Sequence, residues 1–217
     1  MTTTVPSRRP QGSAQSSAAI QGISLLVAIV GLMWLVEIIN SLDSYRLDSD
    51  GLYPRNIERI WGVFTAPFLH ASYQHLIDNT IPFLFMGLII ALSGAVRLAL
   101  VTGIVIVIGG LGTWLIAPAG AVTVGASGVV FGYATYLLTR GLFDHSALEM
   151  LTGAVVGVLW GGALLASLVP HYGVSWQAHL CGGIAGVIAA WLLSDRRTGP
   201  GRTAGPGGGR TVPALSK

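Results

Sequence analysis

Six apolar stretches, at about 22–40, 75–94, 97–117, 126–142, 147–169 and 175–194, dominate this chain. Crossing the ~30 Å hydrocarbon core takes roughly 20 helical residues. Most of the six reach that length, and the fourth is short. Lipid offers the backbone no hydrogen-bond partner, so each is expected to be helical. The expected fold class is an all-α membrane protein, a bundle of six transmembrane helices with a long external loop between the first two. Composition agrees: 52% of the 217 residues are hydrophobic and 10% are charged, against roughly 25% charged in soluble domains.

The flanks read differently. Residues 1–21 are small and polar and are expected to form a disordered cytoplasmic tail. Residues 196–217 are rich in Gly, Pro and Arg and are expected to form a second one. The membrane domain is then 22–195. Arg8 and Arg9 ahead of an apolar run resemble a signal peptide, but the run is too long and no A-x-A-like site follows.

For six crossings, Arg8, Arg9, Arg97, Arg140 and the C-terminal basic residues fall on one side. The positive-inside tendency makes that side cytoplasmic, along with both termini. The connection 41–74 then lies outside, and its mixture of apolar and charged residues suits a partly helical loop at the interface. A net charge of +3 does not indicate nucleic-acid binding, because the cations sit in tails and short connections. The single cysteine, Cys181, excludes an intramolecular disulfide and a CxxC metal site and reads as a small buried residue.

Three polar clusters interrupt the apolar segments, all in the outer half of the expected membrane. In "HLIDN", His75 and Asn79 are spaced i, i+4 and share a helical face. They suit either an interfacial polar patch or a pair of hydrogen-bond donors. Ser127 opens the fourth segment within "GASG", and His179 lies in "AHLCGGIAG" of the sixth. A lone membrane histidine can be a structural hydrogen-bonding group or a functional one. Gly128 and Gly132, and Gly182 and Gly186, form two small-xxx-small patterns that let helices approach closely. If those stripes pack together, Ser127 and His179 come within reach of each other.

Together these groups supply the parts for acyl transfer. His179 can act as base for Ser127. The backbone N–H of Ser127 and the side chains of His75 and Asn79 can stabilise an oxyanion. Asp78 points about 100° away from Asn79 on the helix, so a Ser–His dyad is expected rather than a triad.

These motifs, with "TAPFLHASYQHL" and its upstream His70, resemble the rhomboid intramembrane serine proteases of the bacterial, six-helix type. The likeness spans about residues 22–194. It implies an endopeptidase that cleaves transmembrane helices, with Ser127 as nucleophile, His179 as base, and His75 and Asn79 in the oxyanion hole. Gly125, Gly128, Phe131, His70, Gly182 and Gly186 are implied to support the site. It further implies no cofactor or metal, transmembrane proteins and the bilayer as partners, an inner (plasma) membrane location, and a site opening outward. The loop at 170–176 and the fifth segment are implied to gate it. Two departures stand out. "YPR" at 53–55 replaces a Trp-Arg pair, and Phe131 stands where some relatives have tyrosine. Either aromatic could pack on the His179 ring. A silent rhomboid-like protein that binds transmembrane helices retains the fold without turnover. A small transporter is disfavoured by the lack of an internal repeat.

Among other polar residues, His70 is expected to hydrogen-bond the backbone of the external loop or to help keep the site wet, His171 to be a solvated loop residue, and His145 to lie too far away to act. Glu37 is expected to snorkel or to pair with a loop arginine. Trp34, Trp61, Trp114 and Trp176 are expected at the interfaces.

Overall fold

The computed structural model describes residues 11–194, with side chains from residue 14. The expectations for residues 1–10 and 195–217 lie outside the described residues. The long helices are α1 (Gln11–Leu42), α3 (Tyr73–Ala91), α4 (Ala95–Ile104), α5 (Gly110–Ile116), α6 (Ser127–Asp144), α7 (Ala147–Ala166) and α8 (Trp176–Leu192); α2 (Gly62–Thr65) is one turn in the 43–72 connection. A π-helical turn at Val105–Gly109 joins α4 to α5 as one continuous rod.

The helix starts follow from short-range chemistry. Ser72, Ser146 and Ser175 each accept a backbone N–H three residues on, capping α3, α7 and α8. Helix α1 begins at Gln11, inside the stretch expected as tail. Its extra turns are Ala-, Ser- and Gln-bearing, polar enough to resemble a tail yet able to continue a helix.

Four helices are long and apolar enough to cross a membrane: 14–42, 73–91, 95–116 and 147–166. Helix α6 is interrupted by Arg140 and Asp144, and α8 has only 17 residues. Both bury one face against the rest of the bundle, while α8 leaves Leu180, Ile184 and Trp191 exposed. Helix α6 is the hub, packed against α3, α4, α7 and α8. Val129 through Ala134 of α6 are all buried, and the buried Tyr133 hydroxyl pairs with Thr102 at 2.6 Å. Helix α7 packs chiefly on α6.

The two small-residue stripes pack as expected. A Cβ on Gly182 would lie 2.0 Å from the Gly128 carbonyl oxygen, and one on Gly186 would lie 2.0 Å from that of Gly132. Helices α6 and α8 therefore meet backbone to backbone. Thr135 spans the same contact, its hydroxyl donating to the Gly183 carbonyl at 2.7 Å.

Glu37 departs from expectation. It is fully buried on the α1 face that also carries Met33 and Asn40, and neither carboxyl oxygen has a hydrogen-bond partner among the described residues. The loop arginines are engaged elsewhere. Arg46 faces Asp43 and Arg59 faces Asp50. Arg55 donates to the Leu115 and Ala117 carbonyls at the end of α5, where a cation complements the helix dipole. Two of the four tryptophans expected at the interfaces direct their N–H groups into the protein: Trp34 to Thr80 and Trp114 to Asn56.

Candidate active site

Ser127 is the first residue of α6, and His179 lies in the first turn of α8. The backbone contact between these helices brings Ser127 Oγ to 2.9 Å from His179 Nε2. His179 Nδ1 lies 2.9 Å from the Ser167 carbonyl oxygen, just past α7. A carbonyl only accepts, so Nδ1 carries the proton and Nε2 of the neutral ring offers its lone pair to Ser127. Phe131 stacks flat on the imidazole, with ring centroids 4.3 Å apart and planes 5° from parallel. The imidazole is thus fixed on its face, on its Nδ1 edge and by its helix, with a backbone carbonyl at Nδ1.

Both residues line a cavity of about 390 Å³ with His75, Asp78, Asn79, Trp160 and Ser167. Asn79 is 5% exposed, and its buried Nδ2 has no hydrogen-bond partner among the described residues. Such an orphaned donor costs free energy unless something else satisfies it. Gly125 holds this wall together. Its φ of +112° suits only glycine, and a Cβ there would lie 2.6 Å from His75 Cε1 and 3.5 Å from Asn79 Nδ2. A second cavity, of about 470 Å³, shares His75 and Val174 with the first and is lined by the 117–124 and 170–177 segments.

His70 stands behind the site, fully buried. The Ala126 N–H donates to its Nε2 at 3.3 Å, and its ring meets that of His75 edge-on at 5.1 Å. Burial, with the neighbouring His75 adding to it, pulls the His70 pKa down to about 3. His70 is therefore the neutral acceptor that the Ala126 hydrogen bond requires.

Of the sequence-selected residues, Ser127, His179, His75, Asn79 and Phe131 line one cavity. Gly125 packs against His75 and Asn79 of its wall, His70 stands behind His75, and Gly128, Gly182 and Gly186 set the helix spacing. His171 is exposed, and His145 caps the opposite end of α6. Cys181 is buried and free. Among the described residues no three His, Cys, Asp or Glu side chains are grouped to hold a metal ion, and His70, His75 and His179 form no such set. The Ser167 carbonyl was missed. A backbone acceptor leaves no trace in residue identity.

A helical membrane protein with a serine and an imidazole paired at the mouth of its central helices is the class that this fold and site define. Residues 58–196 match the Rhomboid domain, and the chain belongs to the rhomboid family. An uncharacterized protein of Mycobacterium tuberculosis (strain ATCC 25618 / H37Rv) is 43% identical over 183 residues, covering 81% of this chain and 76% of that one. A Bacillus subtilis (strain 168) protein that carries a rhomboid protease name, YdcA, is 30% identical over 138 residues, 63% of this chain and 69% of its own. Rhomboid-like protein 11, chloroplastic, of Arabidopsis thaliana is 30% identical over 206 residues, 86% of this chain and 68% of its own.

Proposed function

We propose that the protein is an intramembrane serine endopeptidase that cleaves transmembrane helices of other membrane proteins. The observation that carries this reading is the 2.9 Å Ser127–His179 hydrogen bond inside a cavity walled by His75 and Asn79. Nε2 of His179 takes the Ser127 proton as Oγ attacks the scissile carbonyl carbon. The oxyanion that forms is met by the Ser127 N–H at the α6 N-terminus, by Asn79 Nδ2 and by the His75 ring. The imidazolium then gives its proton to the leaving amine nitrogen. Water entering the cavity repeats the sequence on the ester carbonyl, restoring the Ser127 hydroxyl.

In this reading α1, α3, the α4–α5 rod, α6, α7 and α8 make six crossings of the inner membrane. Both termini and their tails are cytoplasmic, the 43–72 connection is external, and the cavity opens to the outer face. That orientation places the charged cluster of Arg140, Asp144 and Glu149 on the cytoplasmic side. Helix α7, with few neighbours besides α6, and the 170–176 loop admit the substrate. The test is a fluorophosphonate probe applied to membranes, alongside cleavage of a reporter transmembrane helix. Wild type is expected to be labelled and active. Ser127→Ala is expected to lose labelling, and turnover should fall by about 10⁴-fold or more. Cleavage retained in Ser127→Ala overturns the assignment, and binding of the reporter without turnover in the wild type indicates a silent relative.

A further inference from the structure

Helix α1 contributes no residue to either cavity beside Ser127, yet its last turns carry a fully buried polar side chain, Asn40. Every group of Asn40 that can leave the helix is used. Its Nδ2 donates to Asp48 Oδ1 at 2.9 Å and to the His70 carbonyl at 3.4 Å. Its Oδ1 accepts the Leu47 N–H at 3.0 Å, and its own carbonyl accepts the Tyr45 N–H at 2.7 Å. The turn so clamped is strained, since Ser44 and Tyr45 both have positive φ, 55° and 61°. Two consecutive non-glycine residues in that region persist only where surrounding bonds over-determine them.

The residue at the far side of this clamp is His70. Its carbonyl is held by Asn40, while its ring accepts the N–H of Ala126, the residue before Ser127, and touches the His75 ring. We infer that Asn40 is a positioning residue: through His70 it holds the Ala126–Ser127 turn and the His75 ring in register. This rests on the protease reading only for its effect on rate. The linkage itself is a matter of geometry. Nothing in it touches substrate, so its loss should lower kcat and leave KM nearly unchanged.

The test compares Asn40→Leu with Trp34→Phe in the full chain. Trp34 also makes a side-chain hydrogen bond from α1, to Thr80 on α3, but has no hydrogen bond to His70. Hydrogen exchange reads the Ala126 amide, fluorophosphonate labelling reads Ser127, and thermal unfolding reads overall stability. Asn40→Leu is expected to speed Ala126 exchange and to slow labelling and kcat about 10-fold, with KM within two-fold. Trp34→Phe is expected to lower the unfolding temperature without moving Ala126 exchange or kcat. If Asn40→Leu does not fold, Asn40→Asp keeps the volume and the Leu47 acceptor while losing both donated bonds, and the same changes are expected. An Ala126 amide that exchanges at the wild-type rate in the Asn40 variants overturns the inference, as does a kcat loss that Trp34→Phe reproduces. Faster Ala126 exchange in a protein whose wild type shows no Ser127-dependent labelling supports the linkage and refutes the protease reading instead.

Discussion

The Ser167 carbonyl oxygen lies 2.9 Å from His179 Nδ1. It occupies the place that a carboxylate takes in a triad, and it carries no formal charge. It fixes the tautomer, but it stabilises an imidazolium less than an anion would. The rate of fluorophosphonate labelling should therefore fall on acidification as the ring gains a proton at Nε2 and loses its acceptor. A labelling rate that does not fall at any acidic pH at which the protein stays folded would refute His179 as base.

Asn79 presents a buried amide nitrogen with no partner to a cavity that also holds Ser127 Oγ. In the proposed mechanism that nitrogen meets its acceptor only as charge develops on the substrate oxygen. Asn79→Ala should lower kcat by roughly 10²–10³-fold, the usual cost of one oxyanion donor, and leave KM almost unchanged. Steady-state kinetics on a reporter helix separates the two. A change confined to KM would assign Asn79 to substrate binding.

The α6–α8 contact leaves no room for a methyl group at Gly182 or Gly186, whereas Gly161 on α7 has nothing within 4 Å of its would-be Cβ. Gly182→Ala and Gly186→Ala should each destabilise the protein by about 1–3 kcal/mol through overpacking. They should also abolish labelling, by pulling Ser127 from His179. Gly161→Ala should be silent in both. Thermal unfolding and probe labelling of the three variants check this.

Gly125 combines a φ of +112° with the close approach of His75. Gly125→Ala should cost about 1–3 kcal/mol from backbone strain alone. It should also displace the His75 ring and reduce turnover more than Gly161→Ala does. Turnover assayed well below the unfolding temperature separates the displacement from lost stability.

His70 has its pKa pulled down to about 3 by burial, while in the unfolded chain it titrates near ~6.5. Between those values the unfolded state binds the extra proton, so stability falls as pH drops from about 6.5 towards 3 and is fully present above that window. His70→Gln removes the titration and should flatten this part of the profile, at the cost of a lower plateau. Unfolding temperatures in detergent between pH 4 and pH 8 test it. Parallel profiles for variant and wild type would locate the acid sensitivity elsewhere.

The helical segments and the residues facing the cavity were legible in the sequence because lipid punishes polar groups and leaves a sparse signal. Ser127, His75, Asn79 and His179 stand out against an apolar background, and the glycine stripes state which helices touch. Less visible was whatever depends on backbone groups or on the 43–72 connection. The Ser167 carbonyl carries no residue signature. Arg55, read as part of a departure from a familiar motif, turns out to hold the α5 carbonyls. Glu37 and Asn40 were the available clue to the α1 linkage, two polar residues one turn apart in an oily run. The partners of Asn40 lie in a loop whose path no periodicity predicts. The N-terminal turns of α1 were hidden by small residues that suit helix and tail alike.

Because α6 and α8 touch through main-chain atoms at Gly128 and Gly182, no third side chain sets the distance between the backbones that carry Ser127 and His179. The imidazole takes its remaining restraints from Phe131 and from the Ser167 carbonyl at the end of α7. A bundle built this way divides its labour mechanically: in the proposed protease, one incompressible seam sets the backbone distance for the chemistry while an outer helix with a single main neighbour borders the path of an incoming guest.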